Sequence, residues 1–299
     1  MSVEPAAFVQ GEIFREYIGA KPSPKLTKFP VEIINPKISE FHFILAFATD
    51  DYDPSTGRGK GNFRPSWNVS DFSAVKIKEM KAKYKNVKVV ISIGGRGTKY
   101  PFNPEDKLQW IHNAKKSLRE ILEVDYKDDC GCVTKTVIDG VDINYEHIES
   151  DGFVECIGEI IEYLKRKGMM VSIAPSDSTD PANPVLTNYK NLYKDNKEHI
   201  DWVDYQFYDQ TVSTTHAFVN LYRSLSDFFS VKKLLAGYST DPNDAGKISQ
   251  KVFFEGCEIL LRSDSLPGIF VWDANDSKVL EEPYYVEIKA QQLLTKSED

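Results

Sequence analysis

The stretch that decides the fold reads VIDGVDINYE and covers residues 137–146. It starts with an apolar run and places Asp142, Asn144 and Glu146 at alternate positions. Because successive side chains of a β-strand point to opposite faces, these three polar side chains share one face. On a face that points into a core they would be costly unless they were hydrogen-bonded. The stretch therefore predicts a buried strand with a polar site at its carboxyl end, rather than a strand that bends into water.

Seven further apolar runs lie on either side of this stretch, and amphipathic segments with helical periodicity separate most of them. The predicted strands cover residues 13–19, 41–48, 87–93, 137–144, 169–174, 202–208, 233–238 and 268–272. The predicted helices cover residues 72–84, 110–124, 153–167, 191–199, 217–229, 249–262 and 285–294. The strand runs are mostly continuous rather than alternating in apolar character, which is typical of parallel strands buried on both faces.

Eight strands that alternate with helices fit either a closed barrel or an open doubly wound sheet. The length of 299 residues favours a single (β/α)8 barrel of the α/β class, a TIM barrel. The open sheet is disfavoured because no G-x-G-x-x-G turn follows the first strand. We expect one domain at residues 13–295, an N-terminal extension at residues 1–12 and a C-terminal tail at residues 296–299.

Charge and composition exclude several classes of partner. The formal net charge of −8 argues against nucleic acid, because phosphate binding requires a basic surface. No apolar stretch approaches the length of a membrane span, and no membrane partner is expected. No metal-ligand spacing is present, so neither a metal nor a cofactor is expected. If Met1 is the natural start, the N-terminal pattern favours a cytoplasmic protein; if the chain has been trimmed, it is vacuolar or secreted. We expect a monomer.

The four cysteines fall into two groups. Cys156 and Cys257 lie in apolar helical patterns and are predicted to be buried free thiols. Cys130 and Cys132 lie in the polar stretch DDCGC, which fits either a strained local disulfide or two exposed thiols. The sequence leaves both alternatives open.

Functional side chains of a (β/α)8 barrel lie at the carboxyl ends of its strands. Besides Glu146, the ends that stand out are Ser92-Ile-Gly94-Gly95 at the third strand, Tyr205-Gln206-Phe207-Tyr208 at the sixth and Trp272 at the eighth. The loop at residues 50–68 follows the second strand, so we expect it on the same face, where long loops are more often functional. Asp204, within the sixth strand, is expected to bond a loop backbone.

The motif D-G-x-D-x-D-x-E, which residues 139–146 follow except at Asn144, resembles the active-site motif of the chitinases of glycoside hydrolase family 18. The other three strand ends match this family in order and spacing. Residues 14–20 and 266–272 resemble the plant bulb chitinases and the narbonin-type seed proteins of the family. The resemblance implies retaining, substrate-assisted hydrolysis of β-1,4-linked N-acetylglucosamine oligomers, with chitin-type oligosaccharides as partners.

The resemblance also implies a role for each matched residue. The catalytic residues it implies are Glu146, Asn144, Asp142 and Tyr208, and the substrate-binding residues are Tyr17, Phe47, Gly95, Gln206 and Trp272. Glu146 matches the acid that protonates the glycosidic oxygen, and Tyr208 matches the tyrosine that bonds the substrate acetamide oxygen. Trp272 matches the floor under the sugar ring. Asp139 and Asp142 match the two acids that precede the orienting Asp.

Asn144 departs from the family, which has the orienting Asp at this position. Its carbonyl can still accept the acetamide N–H, but it supplies no negative charge to the cyclic oxazolinium ion. A loss on the order of 3 kcal/mol would slow turnover roughly a hundredfold. Without a carboxylate at residue 144, help in keeping Glu146 protonated would have to come from Asp142.

Two functions therefore remain open at the level of sequence. One is a chitinase-like enzyme with weak hydrolysis. The alternative is a catalytically inactive, narbonin-like storage protein or chitin-oligosaccharide-binding protein. Whether the chain is an enzyme is uncertain from its sequence.

Overall fold

Eight parallel strands form a closed barrel in the computed structural model, which describes residues 13–123, 126–127, 133–134, 137–177, 183–244 and 247–296. The strands are β1 (Ile13–Ile18), β2 (Glu40–Thr49), β3 (Val87–Gly95), β4 (Gly140–Tyr145), β5 (Met170–Ile173), β6 (Trp202–Tyr205), β7 (Leu234–Ser239) and β8 (Gly268–Trp272). Each strand pairs in parallel with the next, and β8 pairs with β1, which closes the barrel. The predicted single (β/α)8 barrel is confirmed.

Helices cover the outside of the barrel. They are α1 (Ala74–Lys83), α2 (Lys107–Leu122), α3 (Phe153–Arg166), α4 (Val185–Asn196), α5 (Thr215–Phe229), α6 (Gln250–Arg262), the short α7 (Ala274–Ser277) and α8 (Tyr285–Leu294). Ser73, Asp106, Thr214 and Ser249 begin their helices by accepting a hydrogen bond from a backbone N–H of the first turn. Between β1 and β2 the described chain forms one 3-10 turn, Val31–Ile33.

The strands are buried on both faces, as their continuous apolar character predicts. β1 shows the two faces directly, because all six of its residues are buried. Arg15 and Tyr17 point into the barrel, where they contact Asp204 and Asp142. Glu16 lies between them in sequence and belongs to the opposite face.

Most predicted bounds agree with the structure within a few residues, and two differ for physical reasons. The sixth strand was predicted to run to Tyr208, but β6 ends at Tyr205 and a 3-10 turn, Phe207–Asp209, follows. The chain leaves the barrel wall because the backbone N–H of Asp209 donates to the carbonyl of Gln206, which closes this turn. The helix predicted at residues 191–199 corresponds to α4, which begins earlier, at Val185, directly after Pro184. A proline is tolerated at the start of a helix but not in its interior, so Pro184 marks the start.

Cys156 and Cys257 are buried and free, as predicted. Cys130 and Cys132 lie outside the described residues. Among the helices that the structure describes, none is both long and apolar enough to cross a bilayer. The domain limits given above stay a prediction.

Candidate active site

The carboxyl end of β4 lies in the polar centre of the barrel mouth. Asp142 is fully buried and accepts hydrogen bonds from the hydroxyls of Tyr17 (2.9 Å), Ser92 (2.7 Å) and Ser172 (2.7 Å). These partners belong to three other strands, so the polar stripe of β4 is satisfied across the barrel and not by bonds within the stripe. The three donors satisfy both carboxylate oxygens of Asp142, which is therefore firmly held in the barrel interior.

An ion pair between Arg15 and Asp204 lies next to this group. Arg15 donates to the Ser172 hydroxyl (2.7 Å), and its Nε lies 3.1 Å from Oδ2 of Asp204. The expectation that Asp204 bonds a loop backbone is wrong, since its carboxylate faces this buried guanidinium across the barrel. Burial raises the pKa of Asp204 to about 7 although Arg15 opposes the shift.

Asn144 lies two residues further along β4 and faces Gln206. Nε2 of Gln206 donates to Oδ1 of Asn144 (3.3 Å) and to the carbonyl of Ala174 (3.2 Å). A carbonyl oxygen has two lone pairs, so Asn144 keeps the capacity to accept one N–H from a ligand. It brings no charge to the place where the family has a carboxylate.

Glu146 lies just beyond the end of β4 and keeps partial access to solvent. Its Oε2 accepts the backbone N–H of Gly97 (2.8 Å), and Nδ2 of Asn183 bonds its main-chain oxygen (3.1 Å). Burial of the carboxyl raises the pKa of Glu146 to about 7, although the Gly97 N–H and the nearby Arg96 charge lower it. The sequence predicts that Asp142 would help to keep Glu146 protonated, but burial is the largest cause of the raised pKa, and the carboxylates that add to it are Asp209 and Asp244.

Tyr208 and Trp272 are two further residues predicted for the site. Burial raises the pKa of Tyr208 well above its usual value, and the neighbouring Glu146 charge adds to the shift. Trp272 ends β8 and packs against Phe47, with ring centroids 5.8 Å apart, and against Tyr17 at 5.3 Å. The aromatic residues predicted for the site thus lie together at one end of the barrel.

Gly95 ends β3 where no larger side chain fits. A Cβ at this position would lie 2.5 Å from the ring of Tyr100, so the glycine allows that ring to lie on the strand end. Of the acids matched to the motif, Asp139 lies apart from the site. It bonds Nζ of Lys81 on α1 (2.7 and 2.8 Å) and the backbone N–H of Val89 (2.7 Å), which ties the beginning of β4 to its neighbours.

Arg96 lies directly over the predicted sugar floor, although the sequence pattern assigns it no role. Its guanidinium carbon is 6.0 Å from the centroid of the Trp272 ring. It pairs with the buried carboxylate of Asp241, and Nη2 lies 3.7 Å from Oδ1 of Asp244. Arg96 follows a strand end that the motif had marked, but the two acids follow β7, where the sequence shows no comparable pattern.

A cavity of about 550 Å³ opens at the mouth of the barrel. Its wall includes Phe47, Trp67, Phe72, Arg96, Tyr100 and Trp272. Trp67 and its neighbours belong to the loop at residues 50–68, so the predicted long loop does contribute to this face. Glu146 is not part of this wall. Arg96 lines the cavity, and its positive charge also acts on Glu146. Among the described residues no cluster of His, Cys, Asp and Glu side chains is arranged to hold a metal ion.

Comparison with known proteins identifies the family. The profile described as "Glycosyl hydrolases family 18" matches residues 34–256. The chain belongs to this family. It is 35% identical to "Chitinase 1" of Tulipa saxatilis subsp. bakeri over 291 residues, which cover 94% of this chain and 87% of the tulip protein.

Two further relatives support the assignment. The "RuBisCO-associated protein" of Glycine max is 26% identical over 284 residues, which cover 89% of this chain and 92% of that protein. The catalytic domain of a family GH18 chitinase from the fern Peteris ryukyuensis has a TM-score of 0.79 and 31% identity; the match covers 95% of this chain and all of the fern domain (100%). The chain thus has a chitinase-like fold over nearly its whole length.

Proposed function

We propose that this family 18 protein is a slow, retaining hydrolase of β-1,4-linked N-acetylglucosamine oligomers. The observation that carries the proposal is the carboxyl of Glu146, whose pKa of about 7 suits a general acid at neutral pH. The likeness to a protein named Chitinase 1 supports the choice of substrate. The neutral side chain of Asn144 is the reason to expect slow turnover.

The proposed reaction uses the substrate's own acetamide group. Glu146 gives its proton to the glycosidic oxygen while the acetamide oxygen attacks the anomeric carbon and the bond to the leaving sugar breaks. The resulting carboxylate of Glu146 then takes a proton from the water that opens the oxazolinium ion, which restores the acid. Tyr208 donates to the acetamide oxygen, and Asn144 accepts the acetamide N–H.

The proposed site lacks a counter-ion for the positively charged intermediate. An Asp in place of Asn144 would face the oxazolinium ion as a counter-ion, and a charged hydrogen bond contributes about 1 kcal/mol or more beyond a neutral one. The Asp142 carboxyl lies two residues away on the same strand, but three hydroxyl donors already hold it in the barrel interior. The site is therefore expected to bind the sugar better than it stabilises the transition state.

The test is hydrolysis of a chromogenic chitotriose by the wild type and by Glu146→Gln. Gln has nearly the same shape but cannot act as the acid, so the proposal requires a wild-type rate clearly above that of the variant. Glu149→Gln is the matched control, because Glu149 is exposed and close in sequence. Equal rates for the wild type and Glu146→Gln would rule out the enzymatic function.

A second function is non-catalytic: either binding of chitin oligosaccharides without turnover, or storage. Asn144 favours both forms because it lacks the catalytic charge, and Arg96 over the face of Trp272 favours storage. Calorimetry with chitin oligomers separates the two forms of this alternative. Binding without hydrolysis supports a lectin-like role, whereas no binding at millimolar sugar supports storage.

A further inference from the structure

The segment after β3 makes two contacts that converge on the proposed sugar site. The guanidinium of Arg96 covers the ring of Trp272, and the next residue, Gly97, bonds the carboxylate of Glu146 through its backbone N–H. A 3-10 turn, Gly97–Lys99, starts directly after Arg96 and fixes the backbone there. One short segment therefore contacts both the floor and the acid.

A network of ion pairs centred on the segment after β7 holds Arg96 in this place. The Asp241 side chain is fully buried, and it bonds both Arg96 and Nζ of Lys21, the latter at 2.8 Å. Lys21 also pairs with Asp276 next to β8, and Lys247 lies 3.4 Å from Asp244. Burial by itself would raise the pKa of Asp241, but hydrogen bonds from Lys21 and Arg96 lower it below its usual range. A buried, charged anchor of this kind is screened little by salt.

We propose that Arg96, held by Asp241 and Asp244, is a built-in strap that closes the sugar site and that an oligosaccharide must displace. The inference rests on the proposed function, since it takes the face of Trp272 as the floor for a sugar ring. A planar guanidinium and a sugar ring compete for the same aromatic face. When the open form is a minor population, the apparent affinity falls by that fraction.

The same segment also acts on Glu146. A backbone N–H that donates to a carboxylate stabilises its charged form, and so does the nearby positive charge of Arg96. Both contacts favour the form of Glu146 that cannot act as an acid. Displacement of the strap would thus free the floor and favour the protonated acid in one movement.

The experiment compares the wild type with Arg96→Ala and with Arg223→Ala. Arg223 is exposed on α5, so its variant removes the same charge away from the mouth. Asp241 and Asp244 keep Lys21 and Lys247 as partners when Arg96 is removed, and thermal melting checks that both variants fold. Limited oxidation with N-bromosuccinimide, mapped by mass spectrometry, then measures access to Trp272, with the buried Trp110 as internal reference.

We expect Trp272 to oxidise several-fold faster in Arg96→Ala only, and the chitin oligomer to bind that variant at least about tenfold tighter than the wild type. Unchanged Trp272 oxidation in Arg96→Ala would overturn the strap, whatever the wild type binds. Faster oxidation together with no binding at millimolar oligomer would uphold Arg96 as the cover of Trp272 and overturn the proposed sugar function instead. Arg96→Lys, which keeps the charge but not the planar group, should fall between the two.

Discussion

Under the proposed function, the side chain at position 144 limits how much catalysis the site can supply. Asn144 is buried and already accepts a hydrogen bond from Gln206, so an Asp there would find a donor in place. It would also add the negative charge that the intermediate lacks. The change is one of charge with little change in shape.

We therefore predict that Asn144→Asp raises the rate of chitotriose hydrolysis roughly a hundredfold, since about 3 kcal/mol of transition-state stabilisation returns. The rate is measured under saturating substrate, so that binding does not contribute. Asn220→Asp, on the exposed surface of α5, adds the same charge elsewhere and should leave the rate unchanged. If Asn144→Asp has no effect while Glu146→Gln still abolishes activity, the charge is not what limits turnover.

Glu146 gives a second prediction at the residue scale. Its pKa is raised from 4.5 to about 7 by burial, and a general acid works only when protonated. Activity should accordingly be high below pH 7 and fall as the pH rises through about 7. In Arg96→Ala this limb should move to higher pH, because Arg96 favours the carboxylate. The profile of kcat/KM against pH reports the free protein and checks both statements, and a limb near the ordinary value of a glutamic acid would contradict them.

At the scale of elements, the site depends on how closely β3 and β4 approach. Gly94 has a φ of 109°, and a Cβ there would lie 2.2 Å from the backbone oxygen of Asn144. A larger residue would push apart the two strands that carry Asn144 and the Arg96 segment. The glycine pair after Ile93 is therefore needed for the barrel wall itself, whatever the protein binds.

We predict that Gly94→Ala lowers the free energy of unfolding by roughly 2–5 kcal/mol, the sum of left-handed backbone strain and overpacking. Gly168→Ala is the matched control. Gly168 also has a positive φ (73°), but no atom lies within 4 Å of its Cβ position, so only the strain of about 1–2 kcal/mol applies. Urea unfolding followed by circular dichroism measures both. Equal losses would mean that the close approach does not matter.

At the scale of the whole molecule, a group of buried carboxyls lies outside the barrel wall. Glu16 of β1, Asp273 after β8 and Glu287 of α8 are each fully buried, and four of their oxygens have no hydrogen-bond partner in the described chain. Burial raises the pKa of Asp273 and of Glu287 to about 7 each. Burial, together with the charges of the other two acids, raises the pKa of Glu16 well above its usual value.

These acids bind protons more tightly in the folded than in the unfolded chain. Between the unfolded pKa near 4.5 and about 7 the folded state holds more protons, so stability falls as the pH rises through this window. We predict that Glu287→Gln reduces this pH-dependent loss by roughly 3 kcal/mol between about pH 5 and pH 8. Urea unfolding at the two pH values gives the loss. Glu281→Gln, at an exposed position, should keep the wild-type slope, and an equal slope in Glu287→Gln would refute the argument.

How much of the molecule could be predicted differs between fold and site. The barrel was predictable because each strand is a local, continuous apolar run, and even the bounds of β8 and α8 agree with the sequence pattern. The end of β6 was not predictable, because the apolar run continues to Tyr208 through the 3-10 turn Phe207–Asp209. The motif matched Asn144, Glu146, Tyr208 and Trp272 to the site, and all four lie at one end of the barrel.

The sequence by itself therefore determined the barrel, the family and the missing charge at Asn144, because all three are read from residue types at fixed local spacing. Only the tertiary structure decided that Arg96 covers Trp272 and that burial is the largest cause of the raised pKa of Glu146. Arg96 and Asp241 are 145 positions apart, and no local pattern pairs them. Burial and long-range charge pairing arise from how the loops pack over the mouth, which becomes defined only once the barrel has closed.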